Sequence, residues 1–373
     1  MSKQKKVVHI STLHHPLDPR IYYKQCRSLQ QAGFDVTLIA PASADVKEEL
    51  EVTFAPLKKH RNRWKGLLFG TVQAYFRAKK EKADVYHFHD PELLIVGWLL
   101  KNKSNHVIYD IHEDYETGIV QRNYFNAPIR RLIAKVYKLI EKKCTRNMEL
   151  ILAEKYYQEK YPQGICVLNY PLLNGTLLEK EREFKDASQL LYTGNVTKDR
   201  GAVQHAKLPG IDKDISVHLF GKCPGNLAEE MKQAAGTAAD RMFIHGIDHY
   251  VPKTEIDHAY EQKNWLAGIA LFPPTEHYMK KELTKFFEYM TAGLPIVCSD
   301  FPKWSEFMKE YQCGLSVNPD DADEIRGALS FLKENPQQAK EMGENGRRAV
   351  LEHLNWEKEE EKLLQLYEQL VHK

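Results

Sequence analysis

Apolar residues recur along the chain in two rhythms. Short runs that are apolar almost throughout and rich in valine and isoleucine predict buried strands: VVHIS at 7–11, DVTLIA at 35–40, DVYHFH at 84–89 and HVIYDI at 106–111. Between them lie stretches with apolar positions three and four apart. Tyr22, Cys26 and Leu29 are such a set, in a helix expected from about Ile21 to Ala32 and closed by Gly33. Strands alternating with helices are the signature of a parallel sheet with crossover helices, an α/β fold. A basic helix from 128, ELILA at 149–153 and ICVLN at 165–169 continue the pattern.

The pattern breaks at 169–175, which carries Pro171 and Gly175 and no period, and this segment is read as a hinge. It restarts with QLLYTGN at 189–195, ISVHLFG at 215–221, RMFIHG at 241–246, a helix near 253–263 and LAGIALF at 266–272. Two doubly wound domains are therefore expected, 1–168 and 176–355, with surface helices at 321–334 and 336–353. A final helix, 356–373, is expected to pack back on the first domain.

The most informative stretch is TKFFEYMTAGLPIVCS at 284–299. Thr284 is the expected N-cap, Gly293 the left-handed stop, and Pro295 begins the following strand. Phe286, Tyr289 and Met290 form the inward stripe, while Lys285 and Glu288 share another face near the first-turn amides. A cation and a carboxylate beside an electropositive helix end suit a phosphate with a hydroxyl-bearing group next to it. A surface Lys/Glu pair on an amphipathic helix is the plain alternative.

A length of 373 residues agrees with two domains. The longest apolar run, Leu93 to Leu100, is far short of a membrane span, and the basic start has too brief an apolar part for a signal peptide, so a cytoplasmic protein is expected. Six cysteines without a CxxC pair suggest neither a zinc ribbon nor a disulfide framework. The net charge of +2 hides an asymmetry: residues 1–170 hold 28 Lys+Arg against 18 Asp+Glu, the remainder 25 against 33. A basic half facing an acidic half admits nucleic acid, anionic lipid or a phosphate-bearing ligand, and charge alone does not choose among them.

Ligands of such sheets bind beyond the carboxyl ends of the strands. The loop after the first strand carries His14, His15, Asp18 and Arg20, without the glycine fingerprint of a dinucleotide site. Asp90 and Glu113 lie after two further strands. His87, His89 and Asp90, or Asp212 with Asp214, imitate metal-ligand spacing but lack further placed ligands, so no metal is expected.

The run KFFEYMTAGLPIVCSDFP, with CGLSVNPDD and the Asn355-Trp356 helix start, resembles the C-terminal domain of family 4 glycosyltransferases, retaining enzymes of the GT-B fold. HISTLHHPLDPRIYYKQCRSLQQAGFDV, HFHDPELL and YDIHEDY resemble the branch that builds bacterial polysaccharides. The resemblance implies two Rossmann-like domains facing an interdomain cleft and a nucleotide-sugar donor, a UDP-sugar favoured, as co-substrate without a cofactor. It implies a glycan or lipid-linked acceptor and no nucleic acid as a partner.

Residue by residue, the resemblance makes Glu288 the ligand of the donor ribose. Lys280 stands eight residues earlier, where the family has another glutamate. In the loop TGNVTKDRGAV, after Gly194, Asn195 takes the usual arginine position and Arg200 the usual lysine position near the diphosphate. His112 matches the family's active-site histidine. The catalytic set is then His112, Arg200 and Lys285, and the donor set adds Gly194, Asn195, Lys280, Thr284, Phe286 and Glu288. Acceptor-side candidates are His14, His15, Asp18, Arg20, Asp90 and Glu113. Attack on the front side of the sugar is implied, with the departing phosphate taking the acceptor proton. A binding protein with a decayed site and a GT-B sugar-nucleotide epimerase remain as other readings.

Residues 58–82 hold nine Lys+Arg against one acid, with Trp64, Leu67, Leu68 and Phe69 among them, and 128–146 hold seven against one. Such basic amphipathic segments are suited to the anionic inner face of a membrane. Outer helices with an inward core face explain them equally well.

Overall fold

In the computed structural model the described residues are 4–43, 50–58, 63–112, 115, 126–262 and 264–371. The chain divides into two units, Met1–Asn169 with Trp356–Lys373, and Tyr170–Asn355.

The first unit is a seven-stranded sheet of β1 (Lys6–Ile10), β2 (Asp35–Pro41), β3 (Thr53–Leu57), β4 (Val85–Phe88), β5 (His106–Ile111), β6 (Glu149–Leu152) and β7 (Ile165–Cys166). Its order is β3-β2-β1-β4-β5-β6-β7 and every pairing is parallel. Strand side chains alternate between faces, which sorts the core. Val7, Val36, Leu38, Val85 and Ile108 meet Ile21, Cys26 and Leu29 on one side, together with Trp356 and Tyr367 of the terminal helix Trp356–Val371. Val8, Ile10, Tyr86, Phe88 and Tyr109 face the other way, towards α2 (Arg63–Glu81), α3 (Leu94–Leu100) and α4 (Ala127–Cys144).

The first helix differs from its expected start at Ile21. It begins at Pro19 as a π-helix through Cys26 and continues as α1 (Arg27–Gln31). Pro19 sits at the first helical position, and the Asp18 carboxylate accepts from the amides of Arg20 and Ile21. The edge strand β3 was not expected, because Pro56 inside it argues against a strand except at an edge.

The second unit is a six-stranded parallel sheet of β8 (Gln189–Thr193), β9 (Ser216–Phe220), β10 (Met242–Ile244), β11 (Trp265–Ala270), β12 (Ile296–Ser299) and β13 (Gly314–Val317). Its order is β10-β9-β8-β11-β12-β13. Its helices are α5 (Ala202–Ile211), α6 (Gly225–Ala235), α7 (Lys253–Glu261), α8 (Glu276–Lys280), α9 (Thr284–Thr291), α10 (Pro302–Tyr311), α11 (Ala322–Glu334) and α12 (Pro336–Glu352). In both sheets the strand order reverses once, between β1 and β4 and between β8 and β11. A ligand crevice is expected at those two carboxyl edges.

Helix α9 is buried nearly all round, with Lys285, Phe286, Phe287, Tyr289 and Met290 all inside. Tyr289 lies on β11 where Gly268 has no side chain, since a Cβ there would come within 2.4 Å of the ring. Two arginines, Arg182 buried and Arg347 half-buried, hold the other end of α9. Arg182 Nε donates to Ala292 O at 2.8 Å, and Arg347 reaches the carbonyls of Thr291 and Ala292. Cations at a helix C-terminus satisfy orphan carbonyls and oppose the helix dipole. Thr284 is not the cap: it is the first helical residue and exposed, and Leu283 stands at the N-cap without a side-chain bond.

Candidate functional site

At the β8/β11 edge of the second unit, the loop after β8 turns through Gly194 (φ +105°), makes a short 3-10 turn over Lys198–Arg200 and enters α5 through Gly201 (φ +77°). Only glycine fits at 201, because its backbone is left-handed and a Cβ would stand 1.9 Å from Leu271 O at the end of β11. This close approach brings Arg200 beside the β11 loop. Its Nε donates to Tyr278 Oη at 2.9 Å, and Tyr278 Oη donates to Asp199 at 3.2 Å.

From α9, Lys285 projects into the same place. Its Nζ lies 3.6 Å from the ring centre of Tyr192 and 4.9 Å from that of Phe272, with no hydrogen-bond partner among the described residues. A Cβ placed on Gly194 would be 3.9 Å from Lys285 Nζ and 4.0 Å from Arg200 Nη1. Two cations thus converge on the space beside Gly194. Burial first, and Arg200 second, push the Lys285 ammonium well below the usual lysine range, against a smaller pull from Glu288. Burial, the largest single influence, acts against the charge of Arg200, but its bond to Tyr278 together with the charges of Tyr278, Tyr192 and Asp199 more than offsets this and holds its pKa above the ordinary value.

Glu288, half-buried, accepts from Tyr260 Oη at 2.9 Å, and Tyr260 in turn meets Thr193 Oγ1 at 2.7 Å. The remaining donor candidates are less involved. Asn195 is exposed, and its carbonyl accepts from Tyr192 Oη at 2.8 Å. Lys280 is exposed at the end of α8. Phe286 is removed from the donor set: its side chain is buried against Trp304 and Phe307, and its amide donates to Leu283 O at 3.0 Å. Neither can turn to an anion. His205, unforeseen in the sequence, lies beneath, accepting from Leu271 N at 3.0 Å on Nε2 and kept neutral by burial and by Lys285.

At the β1/β4 edge of the first unit, Asp90 organises the loop after β1. Its Oδ2 accepts from Ser11 Oγ at 2.8 Å and from Thr12 N at 2.6 Å. His14 bridges Asp18 at 3.2 Å and Asp90 at 3.4 Å, and its ring stands edge-on to His112 with centres 5.2 Å apart. Burial lowers the pKa of His14, but Asp18 and Asp90 more than offset this and leave it raised. His112 Nε2 meets Asp110 Oδ2 at 2.9 Å. His14, Asp18, Asp90 and His112 are thus brought together.

Two acceptor-side candidates are not. Arg20 is buried in a two-point pair with Asp110, at 2.9 and 2.8 Å, and also holds Val167 O; it is a structural clamp and cannot reach a substrate. His15 turns to Ser43 at 3.0 Å. Glu113 lies outside the described residues. Glu92 was missed, although it lies two residues past Asp90. It accepts from Thr12 Oγ1 at 2.8 Å, and burial followed by Asp90 raises its pKa to about 6.

Beneath this edge His9, His87 and His89 are stacked on the sheet with a ligand nitrogen of each within 4.8 Å of the others, and His89, Asp110 and His112 form a second such group. Burial drives all three histidines of the first group to the neutral, ligating form. The rings are stacked for His9 with His89 and for His87 with His89 and tilted by 38° for His9 with His87, and Asp110 is paired with Arg20.

Two family models match, one in each unit. Glycosyltransferase Family 4 covers residues 19–155, and Glycosyl transferases group 1 covers 178–349. The chain belongs to glycosyltransferase family 4. A curated relative of this family 4 chain, the MMP alpha-(1->4)-mannosyltransferase of Mycolicibacterium hassiacum, is 31% identical over 85 residues, a stretch spanning 22% of this chain and 21% of that protein. Among solved structures, sucrose-phosphate synthase from Thermosynechococcus elongatus is similar with a TM-score of 0.74 at 18% identity, over 99% of this chain and 100% of that one. The Anabaena protein HepE, solved in complex with UDP, gives 0.69 at 10% identity, over 98% and 100%. At such identities the likeness is one of fold, and the fold of this family 4 chain is GT-B.

Proposed function

We propose that the chain is a retaining glycosyltransferase that moves a sugar from a nucleotide-sugar donor, with a UDP-sugar favoured, to a glycan or lipid-linked acceptor in cell-surface polysaccharide synthesis. The observation that carries the reading is the convergence of Lys285 and Arg200 beside Gly194, with Lys285 Nζ buried and without a hydrogen-bond partner among the described residues. Two cations with no anion between them are an unfavourable arrangement that a diphosphate relieves. The solved HepE complex with UDP supports a nucleotide diphosphate as that group.

When the bond from the sugar to the diphosphate breaks, negative charge grows on the leaving oxygen. Lys285 and Arg200 stand ready to hold that charge without reorganising, and the reading therefore requires no metal. Tyr278 fixes the Arg200 fork from behind. Glu288 offers a carboxylate to the ribose hydroxyls, oriented by Tyr260. In the first unit, His112 is proposed to act on the donor sugar, its Nε2 tied to Asp110 and its Nδ1 without a partner among the described residues. The departing phosphate takes the acceptor proton, and no protein carboxylate acts as nucleophile.

A thermal-shift and hydrolysis screen over UDP-, GDP-, ADP- and dTDP-sugars tests the donor assignment. Glu288→Ala is expected to weaken nucleotide binding, while Arg200→Ala mainly lowers turnover. Unchanged nucleotide affinity for Glu288→Ala, measured by calorimetry, would count against the site. Lys280 and Asn195, both departures from the family's pattern, favour one second reading, a nucleotide-sugar-binding protein without turnover. Donor that binds but is never consumed in the presence of any glycan acceptor would select it.

A further inference from the structure

Helix α4 in the first unit is built inside out. At about 100° per residue its positions fall into three stripes, and the inward one is Arg130, Ala134, Tyr137, Glu141 and Cys144. Its large aliphatic residues, Ile129, Leu132, Ile133, Val136, Leu139 and Ile140, point outward instead, with Leu132 62% and Leu139 66% exposed. Arg131, Lys135, Lys138 and Lys142 make the third stripe, also exposed. The one acid of the helix, Glu141, is turned inward to the hydroxyls of Tyr137 and Tyr161 at 2.8 and 2.7 Å. An outer helix covering a core keeps its aliphatics inside, and this one does not.

The neighbouring helices repeat the pattern. Helix α3 packs between α2 and α4 and exposes Ile95, Trp98 and Leu99. Helix α2 exposes Leu68, Phe69, Val72 and Phe76, with Lys79 and Lys80 at its end. Three adjacent helices therefore present aliphatic and aromatic side chains to solvent beside lysines and arginines, far beyond the scattered apolar exposure of an ordinary surface.

We propose that the outer face of α2, α3 and α4 is a docking surface for an anionic lipid bilayer. The aliphatic stripes enter the acyl boundary, Trp98 sits at the headgroup level, and the lysine and arginine stripe meets lipid phosphates. Charge selects this occupant over a second copy of the chain. A two-fold contact across the face would bring the basic stripe of α4 against its own copy, whereas an anionic membrane complements it. The inference stands apart from the donor reading, which rests on the second unit.

Co-sedimentation with phosphatidylcholine vesicles containing phosphatidylglycerol tests it on the full chain. Binding is expected at low salt, weaker on phosphatidylcholine alone and weaker as salt is added. Leu132→Asn/Leu139→Asn, both at exposed positions, is expected to lower the partition on the order of a hundredfold, and Lys135→Glu/Lys142→Glu to abolish the preference for phosphatidylglycerol. The thermal shift with UDP should be the same in all three proteins. It reports on the donor reading separately, while circular dichroism and an unliganded melting transition like that of the wild type show that the variants fold. The proposal is overturned if the wild-type chain stays in the supernatant at low salt, or if the leucine variant binds as the wild type does. Light scattering that shows a dimer, split by the leucine substitutions, would overturn it in favour of a second copy.

Discussion

Replacing Lys285 by methionine should make the free protein more stable and a poorer binder of nucleotide. The Lys285 ammonium is buried without a hydrogen-bond partner among the described residues. Desolvating a charge in this way costs several kcal/mol after relaxation, of which contact with the rings of Tyr192 and Phe272 returns about 2 kcal/mol. Lys285→Met keeps the length of the stem and removes the charge, so a gain of about 1–3 kcal/mol is expected. For a domain of this size that raises the melting temperature by roughly 3–10 °C.

Linkage gives the same sign. The Lys285 pKa is lowered on folding, so below the ordinary lysine value of 10.5 the unfolded chain binds the extra proton, and stability rises with pH through that window. The methionine variant should lack this slope. Loss of a charge-assisted contact with a diphosphate, about 1.5–3 kcal/mol, weakens UDP binding roughly 10- to 100-fold. Scanning fluorimetry with and without UDP, followed by calorimetry, reads both effects. A variant that melts lower than the parent, with its UDP shift intact, would refute the reasoning: Lys285 would then be a packing residue held by its two rings.

Tyr278→Phe removes only the hydroxyl that links Arg200 Nε to Asp199, and the ring keeps its edge contact with Phe272. Stability should change by about 1 kcal/mol or less, while kcat falls more than KM rises, because an unanchored Arg200 is slower to meet the growing charge; equal kcat in steady-state kinetics would refute this. Glu92→Gln should stabilise the first unit at neutral pH and leave it unchanged near pH 4. The folded form of Glu92 prefers its proton up to about 6 instead of 4.5, so stability is lost as pH rises through that interval. The interval corresponds to about 2 kcal/mol, or roughly half that after solvent screening, and thermal unfolding across pH checks it.

The alternation of strands and helices was legible because the strands at the middle of each sheet, β4, β5, β11 and β12 among them, are buried on both faces and so read as unbroken apolar runs. β3 escaped because it is short, lies at an edge and contains Pro56. Gly293 was legible as the stop of α9 because left-handed backbone, here φ +68°, strongly favours one residue type. Burial of Lys285 was not legible, since periodicity marks which apolar residues face inward and is silent on a cation drawn in among them. Arg20 was misread for a related reason: its partner Asp110 lies 90 residues away, and in sequence an arginine in a strand-end loop looks like one awaiting a substrate. Asp18 could have been read better, because an acidic residue directly before Pro19 is a helix start. The outward aliphatics of α4 were beyond the sequence, since a hydrophobic stripe does not state which way it turns.

The terminal helix has a consequence for how the chain is made. Trp356 Nε1 donates to Ser28 Oγ at 3.0 Å, and the Tyr367 hydroxyl meets His87 at 2.8 Å, so one face of the first sheet is covered by residues translated after the whole second unit. On the ribosome the second unit has all of its own strands before the first unit has its lid. The portion synthesised second can therefore finish folding first, while Val7, Leu38 and Ile108 wait with an uncovered side. A stop codon just ahead of Trp356 would spare the second unit in full and leave the first as a sticky, chaperone-dependent fragment.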